Sequence, residues 1–167
     1  RNLVLDVLRN AKESLVRKMA ENATQLTLLT ATAKALGLDK RPNRIEVYDN
    51  SHIQGSHAVG AMIVSGPEGF MRSEYRKFNI RLDEIQNKDD TAMMKHVFTR
   101  RFRLGDKNGQ NIDHTNLPDL IILDGGKGQL SSISGILLES GLGNIPILGI
   151  AKGPERNSGE ETFYLRD

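Results

Sequence analysis

Residues 117–130 run Leu-Pro-Asp-Leu-Ile-Ile-Leu-Asp-Gly-Gly-Lys-Gly-Gln-Leu. The four consecutive apolar residues Leu120 to Leu123 fit a strand covered on both faces, as in an α/β sheet. That strand ends in a carboxylate, Asp124. Three glycines and Lys127 then lead into a helix expected over 128–140, with Gly141 and Gly143 as its stops. Open α/β sheets place their ligand chemistry outside the carboxyl ends of the strands. Asp124 is therefore the residue around which a site is to be sought.

Upstream, Arg44–Asp49 alternates with β-branched and aromatic residues and reads as a first strand, which also ends in an aspartate. Asn50–His57 reads as a polar loop turning at Gly55. Ala58–Val64 is the second strand, Ser65–Gly69 a hairpin connection, and Phe70–Ile80 the third strand. Short turns between the three make an antiparallel meander. Residues 81–88 are a polar loop, and a helix runs from Asp89 or Asp90 to Leu104, ended by Gly105. Residues 105–116 read as an exposed loop. Downstream lie a fifth strand, Ile147–Ile150, a charged loop, Lys152–Glu161, and a short last strand, Thr162–Leu165. Right-handed crossovers restrict how a meander continues through helices. The expected fold is α/β, a five-stranded mixed sheet of order 3-2-1-4-5 with the fourth strand parallel to the first.

A long helix precedes the sheet. Apolar residues recur at 4, 8, 11, 15, 19, 26, 29, 33 and 36, and with Asn22 filling the gap the nine steps average about 3.6, the helical period. Gly37 stops it and Pro42 prevents a restart. The pattern admits one helix or two with a break near Asn22. Residues 1–42 are thus expected to pack on, or link to, a domain over 43–167.

The 167 residues suit one core, and the composition, 38% hydrophobic and 26% charged, is that of a globular chain. No run approaches the ~20 apolar residues of a membrane span. The chain has no cysteine, which excludes a disulfide framework and a thiolate zinc site and is compatible with a cytoplasmic location. It begins at Arg1 and stops after a strand-like run, so it is expected to be a fragment. Net charge is +2, but residues 71–104 carry nine basic against five acidic groups and residues 105–167 five against nine. A basic surface beside an acidic one suits a nucleic-acid enzyme with metal-binding carboxylates, although charge runs are commonly solvated faces.

With the first and fourth strands adjacent and parallel, Asp49 and Asp124 stand about 4.8 Å apart in strand spacing. Two such anions are costly together, and a hard divalent cation, Mg²⁺ or Mn²⁺, resolves the conflict. Asp90 shares a helix face with Met93, Met94, Val97 and Phe98, which turns it toward the sheet. Asp89 is the natural N-cap. A first-turn acid favoured by the helix dipole is the plainer reading of Asp90. Three carboxylates around hard cations suit phosphodiester hydrolysis.

Gly125 and Gly126 let a phosphate approach backbone N–H groups at the helix start, and Lys127 can neutralise it. The spacing is not that of a nucleotide-triphosphate loop. Arg100, Arg101 and Arg103 on the helix, and Arg76 and Lys77 on the third strand, are candidates for DNA backbone contacts, with a solvated face as the alternative. None of His52, His57, His96 and His114 shows a ligand spacing. His52, three residues past Asp49, is best read as a loop hydrogen-bonding residue.

Four stretches resemble one known family: Tyr-Asp-Asn-Ser-His (48–52), Ser-Glu-Tyr-Arg-Lys-Phe-Asn-Ile (73–80), Asp-Asp-Thr-Ala-Met-Met (89–94) and Pro-Asp-Leu-Ile-Ile-Leu-Asp-Gly-Gly-Lys-Gly-Gln (118–129). They look like UvrC, the C subunit of the bacterial UvrABC excision nuclease. The resemblance covers 43–167 and extends to the first helix. It implies an RNase H-like endonuclease domain that cuts damaged double-stranded DNA 5′ to a lesion, within a UvrB–DNA complex. It also implies that Asp49, Asp90 and Asp124 are the catalytic aspartates. The family's catalytic histidine and DNA-binding helix-hairpin-helix lie beyond Asp167, so this chain alone is expected to be weakly active or inactive. The competing expectation is a non-catalytic DNA-binding or assembly module that keeps the fold. Another RNase H-like nuclease fits the chemistry but not the four motifs.

Overall fold

The computed structural model describes residues 2–53, 57–81, 85, 89–104, 112, 116–152 and 161–166. Among these described residues three α-helices, α1 (Asn2–Ala35), α2 (Asp90–Phe102) and α3 (Lys127–Glu139), accompany seven strands: β1 (Ile45–Ile53), β2 (His57–Gly66), β3 (Gly69–Phe70), β4 (Arg76–Arg81), β5 (Leu120–Asp124), β6 (Ile147–Ala151) and β7 (Thr162–Leu165). They form one seven-stranded sheet of order β3-β2-β1-β5-β6-β7, with β4 also paired to β2. β1 is antiparallel to β2 and parallel to β5, and β5 is parallel to β6.

The expected order holds, and the strand count grows from five for two local reasons. The third strand is split by a 3₁₀ turn over Arg72–Glu74, where Met71 N–H donates to Val64 O at 2.9 Å and the chain steps around the β2 edge. The last short strand, β7, adds an antiparallel edge to β6. β1 also continues through Asn50–Ile53, where a polar loop was expected, because Ser51, His52 and Ile53 pair with Val59, Ala58 and His57. Polar side chains do not break a strand whose backbone has a partner. α2 ends in an αL cap at Arg103, φ 54°, whose N–H returns to Thr99 O. The expected stop, Gly105, lies outside the described residues, as do most of the two expected loops at 81–88 and 105–116.

The sheet has two unequal covers. On one face α2 and α3 bury Tyr48, Met62, Met93, Val97, Phe98, Ile121, Leu123 and Ile133 in the main core. On the other, Leu29 of α1 packs with Ile45, Leu120 and Leu148, with Val47, Ile122 and Ile150 at the margin. α1 is one continuous helix of 34 residues. Its contact with the sheet lies in its second half, where Leu29 and Ala33 are buried, while every side chain from Arg9 to Ala20 is exposed. Among the described residues no helix is long and apolar enough to cross a membrane.

Candidate active site

β1 and β5 are paired so that Tyr48 stands opposite Leu123. Asp49 and Asp124 are the next positions outward on these parallel neighbours. Alternation sends both to the α1 face, in line with Ile45 and Val47 on β1 and with Leu120 and Ile122 on β5. The two carboxylates lie past the stretch that α1 covers. Pairing extends the row on either side, from Asp124 to Ile150 and Phe163, and from Asp49 to Ala61 and Lys77.

The two acids share one electrostatic field. Burial pushes the Asp49 carboxyl above its ordinary range, the charge of Asp124 adds to this, and Asp90 adds a smaller part. The Asn50 backbone N–H and Lys152 act in the opposite sense. Lys152 Nζ donates to Asp124 Oδ2 at 2.9 Å, with the two side chains 57% and 34% exposed.

Asp90 begins α2. Asp89 is its N-cap, accepting from Ala92 N–H at 2.7 Å, and Asn50 Nδ2 donates to Asp90 O at 3.4 Å, which ties the helix start to β1. Met93, Met94, Val97 and Phe98 are buried as the spacing requires, while Asp90 itself is exposed. The close approach of α2 depends on Gly60, where a Cβ would lie 2.4 Å from Val97 Cγ2.

The donors are all oxygens, which suits Mg²⁺ or Mn²⁺. The expected cage of three carboxylates is not preassembled: among the described residues no group of three His, Asp or Glu converges closely enough to hold a metal. The reason lies in the layers. Asp49 and Asp124 belong to the α1 face, whereas Asp90 rides on a helix packed against the other, and Lys152 is already seated on Asp124. The pair Asp49 and Asp124 still fits a hard cation that keeps waters or takes substrate oxygens.

After Asp124 the chain turns through Gly125 and Gly126, the latter the α3 N-cap, to the exposed Lys127. Gly125 differs from expectation, because its N–H donates to Ile150 O at 2.9 Å and extends the sheet instead of facing a phosphate. The turn is tight, since a Cβ on Gly149 would lie 3.0 Å from Gly125 O.

The arginines gather at the other end of α2. Arg44, Arg76, Arg100, Arg101 and Arg103 line a cavity of about 270 Å³. Arg101 turns inward and does not face a DNA backbone. Its side chain is 10% exposed and pairs with the fully buried Glu46 at 2.7 Å, and its Nη2 also donates to Asn116 O. A buried carboxylate draws the nearest guanidinium because an unpaired charge there is expensive. Arg44 and the Tyr48 hydroxyl complete the Glu46 cluster, and burial, then Glu46, pushes the Tyr48 phenol well above its ordinary range. Arg100 donates to Asn79 O at 2.8 Å and lies over Phe78, Arg76 donates to Tyr75 O, and both are exposed, as is Arg103. Lys77 is exposed on the aspartate row. The side chains of His52, His57 and His114 lie outside the described residues. His96 is half-buried on α2.

Residues 33–167 match the model of a family described as the UvrC RNase H endonuclease domain. The chain belongs to that family. It is 50% identical over 165 residues to UvrABC system protein C of Rhodospirillum rubrum, covering 99% of this chain and 26% of the relative. It is 53% identical over 162 residues to that of Ruegeria pomeroyi, covering 97% and 26%. The chain thus spans about a quarter of the length of these relatives. The fold is RNase H-like. Among solved structures it is similar to endonuclease V of Ciona intestinalis in complex with a 24mer DNA containing an inosine, with TM-score 0.46 at 15% identity, covering 85% of this chain and 59% of that one. Human endonuclease V gives 0.45 at 13%, covering 67% and 46%.

Lys152, which the sequence shows only as the start of a charged loop, also stands on Asp124. Leu148 and Ile150 lie on the α1 face. Counting on by two puts Lys152 on the face of Asp124. That parity acquires meaning only through the pairing of β6 with β5.

Proposed function

We propose that the chain is the endonuclease domain of a nucleotide-excision repair nuclease that hydrolyses a DNA phosphodiester 5′ to a lesion, with Mg²⁺ or Mn²⁺ at Asp49 and Asp124. The observation that carries this reading is the placement of two aspartates at the ends of adjacent parallel strands, close enough for one to raise the carboxyl of the other. Such a pair needs a cation. A bound divalent metal would supply Lewis acidity and an activated water. Asp49 and Asp124 would hold it, and Asp90, at the start of α2, adds a third negative group at the rim. Lys127 and Lys77 flank the carboxylates and contact backbone phosphates, which positions a duplex without reading its sequence. Gly126 leaves the α3 start open to the same backbone. Arg76, Arg100 and Arg103 contact DNA farther along, toward the end of α2 away from Asp90, a 13-residue helix about 20 Å long. Damaged double-stranded DNA is the substrate, presented in a complex with UvrB.

The test is nicking of a lesion-bearing duplex with Mg²⁺ or Mn²⁺ by the wild-type chain and by Asp124→Asn, each in the full-length protein. A loss of roughly a hundredfold or more, with the circular dichroism spectrum and DNA affinity retained, is expected. Equal nicking by both proteins would overturn the assignment. Absence of cleavage by either, with DNA binding intact, would favour the non-catalytic module.

A further inference from the structure

Lys152 is seated on one member of the aspartate pair. Its ammonium is 2.9 Å from Asp124 Oδ2, and its charge also counteracts the rise at Asp49. It therefore stands against Asp124 and acts on Asp49 through its charge, where the pair calls for positive charge. Its attachment suits exchange. Lys152 directly follows β6, shares the face of Ile150, and is more than half exposed. A lysine is a compact point charge on a flexible stem, so it can leave the pair without moving the sheet.

We propose that Lys152 is a positioning residue, an internal counter-cation that holds the aspartate pair together without metal and yields to the metal when DNA arrives. This rests on the metal reading given above. A divalent ion entering between Asp49 and Asp124 meets the ammonium as a like charge, so metal binding and departure of Lys152 are linked. Once released, the ammonium can meet a substrate phosphate brought to the site. Metal and DNA then favour one another, and by linkage each strengthens the other by the same factor. The device keeps the carboxylates ordered while the site is idle and weakens metal loading until a duplex is in place.

The measurement is Mn²⁺ affinity of the full chain by titration calorimetry, with and without a duplex whose cut linkage is a 3′-methylene phosphonate, which keeps the charge but has no scissile P–O bond, for wild type, Lys152→Ala and Lys152→Arg. Without DNA, Lys152→Ala is expected to bind Mn²⁺ roughly tenfold more tightly than wild type, since a close like charge has gone. Lys152→Arg is expected to stay near wild type. Adding the duplex is expected to tighten Mn²⁺ binding in wild type and much less in Lys152→Ala. A merely structural lysine would give the opposite sign, weaker binding in Lys152→Ala. That result, or equal affinities, would overturn the proposal while leaving the metal reading in place. If no variant binds Mn²⁺, both fall.

Discussion

Asp119 illustrates how a single side chain sets the geometry of a site it does not touch. Its Oδ2 accepts the N–H groups of Asn43 at 2.9 Å and Arg44 at 3.1 Å, and its Oδ1 pairs with Lys40 at 2.9 Å. It thereby fastens the start of β1 to the start of β5, at the end of the sheet opposite Asp49 and Asp124. Burial alone pushes the Asp119 carboxyl up. Lys40 and the two backbone N–H groups outweigh it and hold the carboxyl below its ordinary range. A depressed folded-state value contributes stability above the unfolded value of about 3.9, and that stability is lost as pH falls through the folded value. Asp119→Ala is therefore expected to lower Tm at pH 7 by roughly 2–4 °C, the size of one lost capping carboxylate of about 1 kcal/mol. Calorimetry of both proteins from pH 7 down to pH 3 checks it. A deficit that persisted unchanged at pH 3 would show that the charge is not the cause. Asp119 stood beside the strand in the sequence without any mark of this role, because its partners are more than 70 positions away.

At the scale of elements, α2 connects fold to site. Its apolar spacing revealed which face is buried, and Asp89 was legible as the cap. What lets the helix come close is Gly60 on β2, which the sequence showed only as one small residue within a strand. A methyl group there meets Val97 Cγ2 at 2.4 Å and Asn50 Oδ1 at 3.1 Å. Gly60→Ala should push α2 outward, costing about 1–3 kcal/mol, and should displace Asp90 and the Asn50 bond to its carbonyl. Adding Val97→Ala should recover part of the loss, so the double mutant is expected to be more stable in urea than the sum of the single changes. Strict additivity would count against the contact. The strands show the limit of local pattern. Phe70–Ile80 alternates well enough to read as one strand, yet residues 71–75 stand opposite only residues 63 and 64 of β2, and the excess bends into a 3₁₀ turn.

Across the whole molecule, α1 divides into a bonded half and a projecting half. Leu29 is buried against Ile45, Leu120 and Leu148, whereas Leu15, Val16 and Met19 are each about 60% exposed. The same helical period runs through both halves, so the sequence could not separate them. Leu29→Ala is expected to cost about 2–3 kcal/mol, at the low end for such a cavity because the cluster is small. Met19→Gln should change stability by less than about 0.5 kcal/mol. Urea unfolding of the two variants decides between this division and a helix packed along its full length.

Periodicity and punctuation travel with the chain, so the sequence alone established the α/β alternation, the parallel pairing of the two aspartate-bearing strands and the buried face of α2. Each is a property of consecutive residues together with a topological rule that leaves few alternatives. Tertiary structure decided the rest. It turned Arg101 inward to Glu46, bound the Gly125 N–H into the sheet, and seated Lys152 on Asp124. These outcomes depend on which charges meet across strands and layers. Charge carries no period, and a lysine or arginine finds its partner only when the backbone has brought one within about 3 Å.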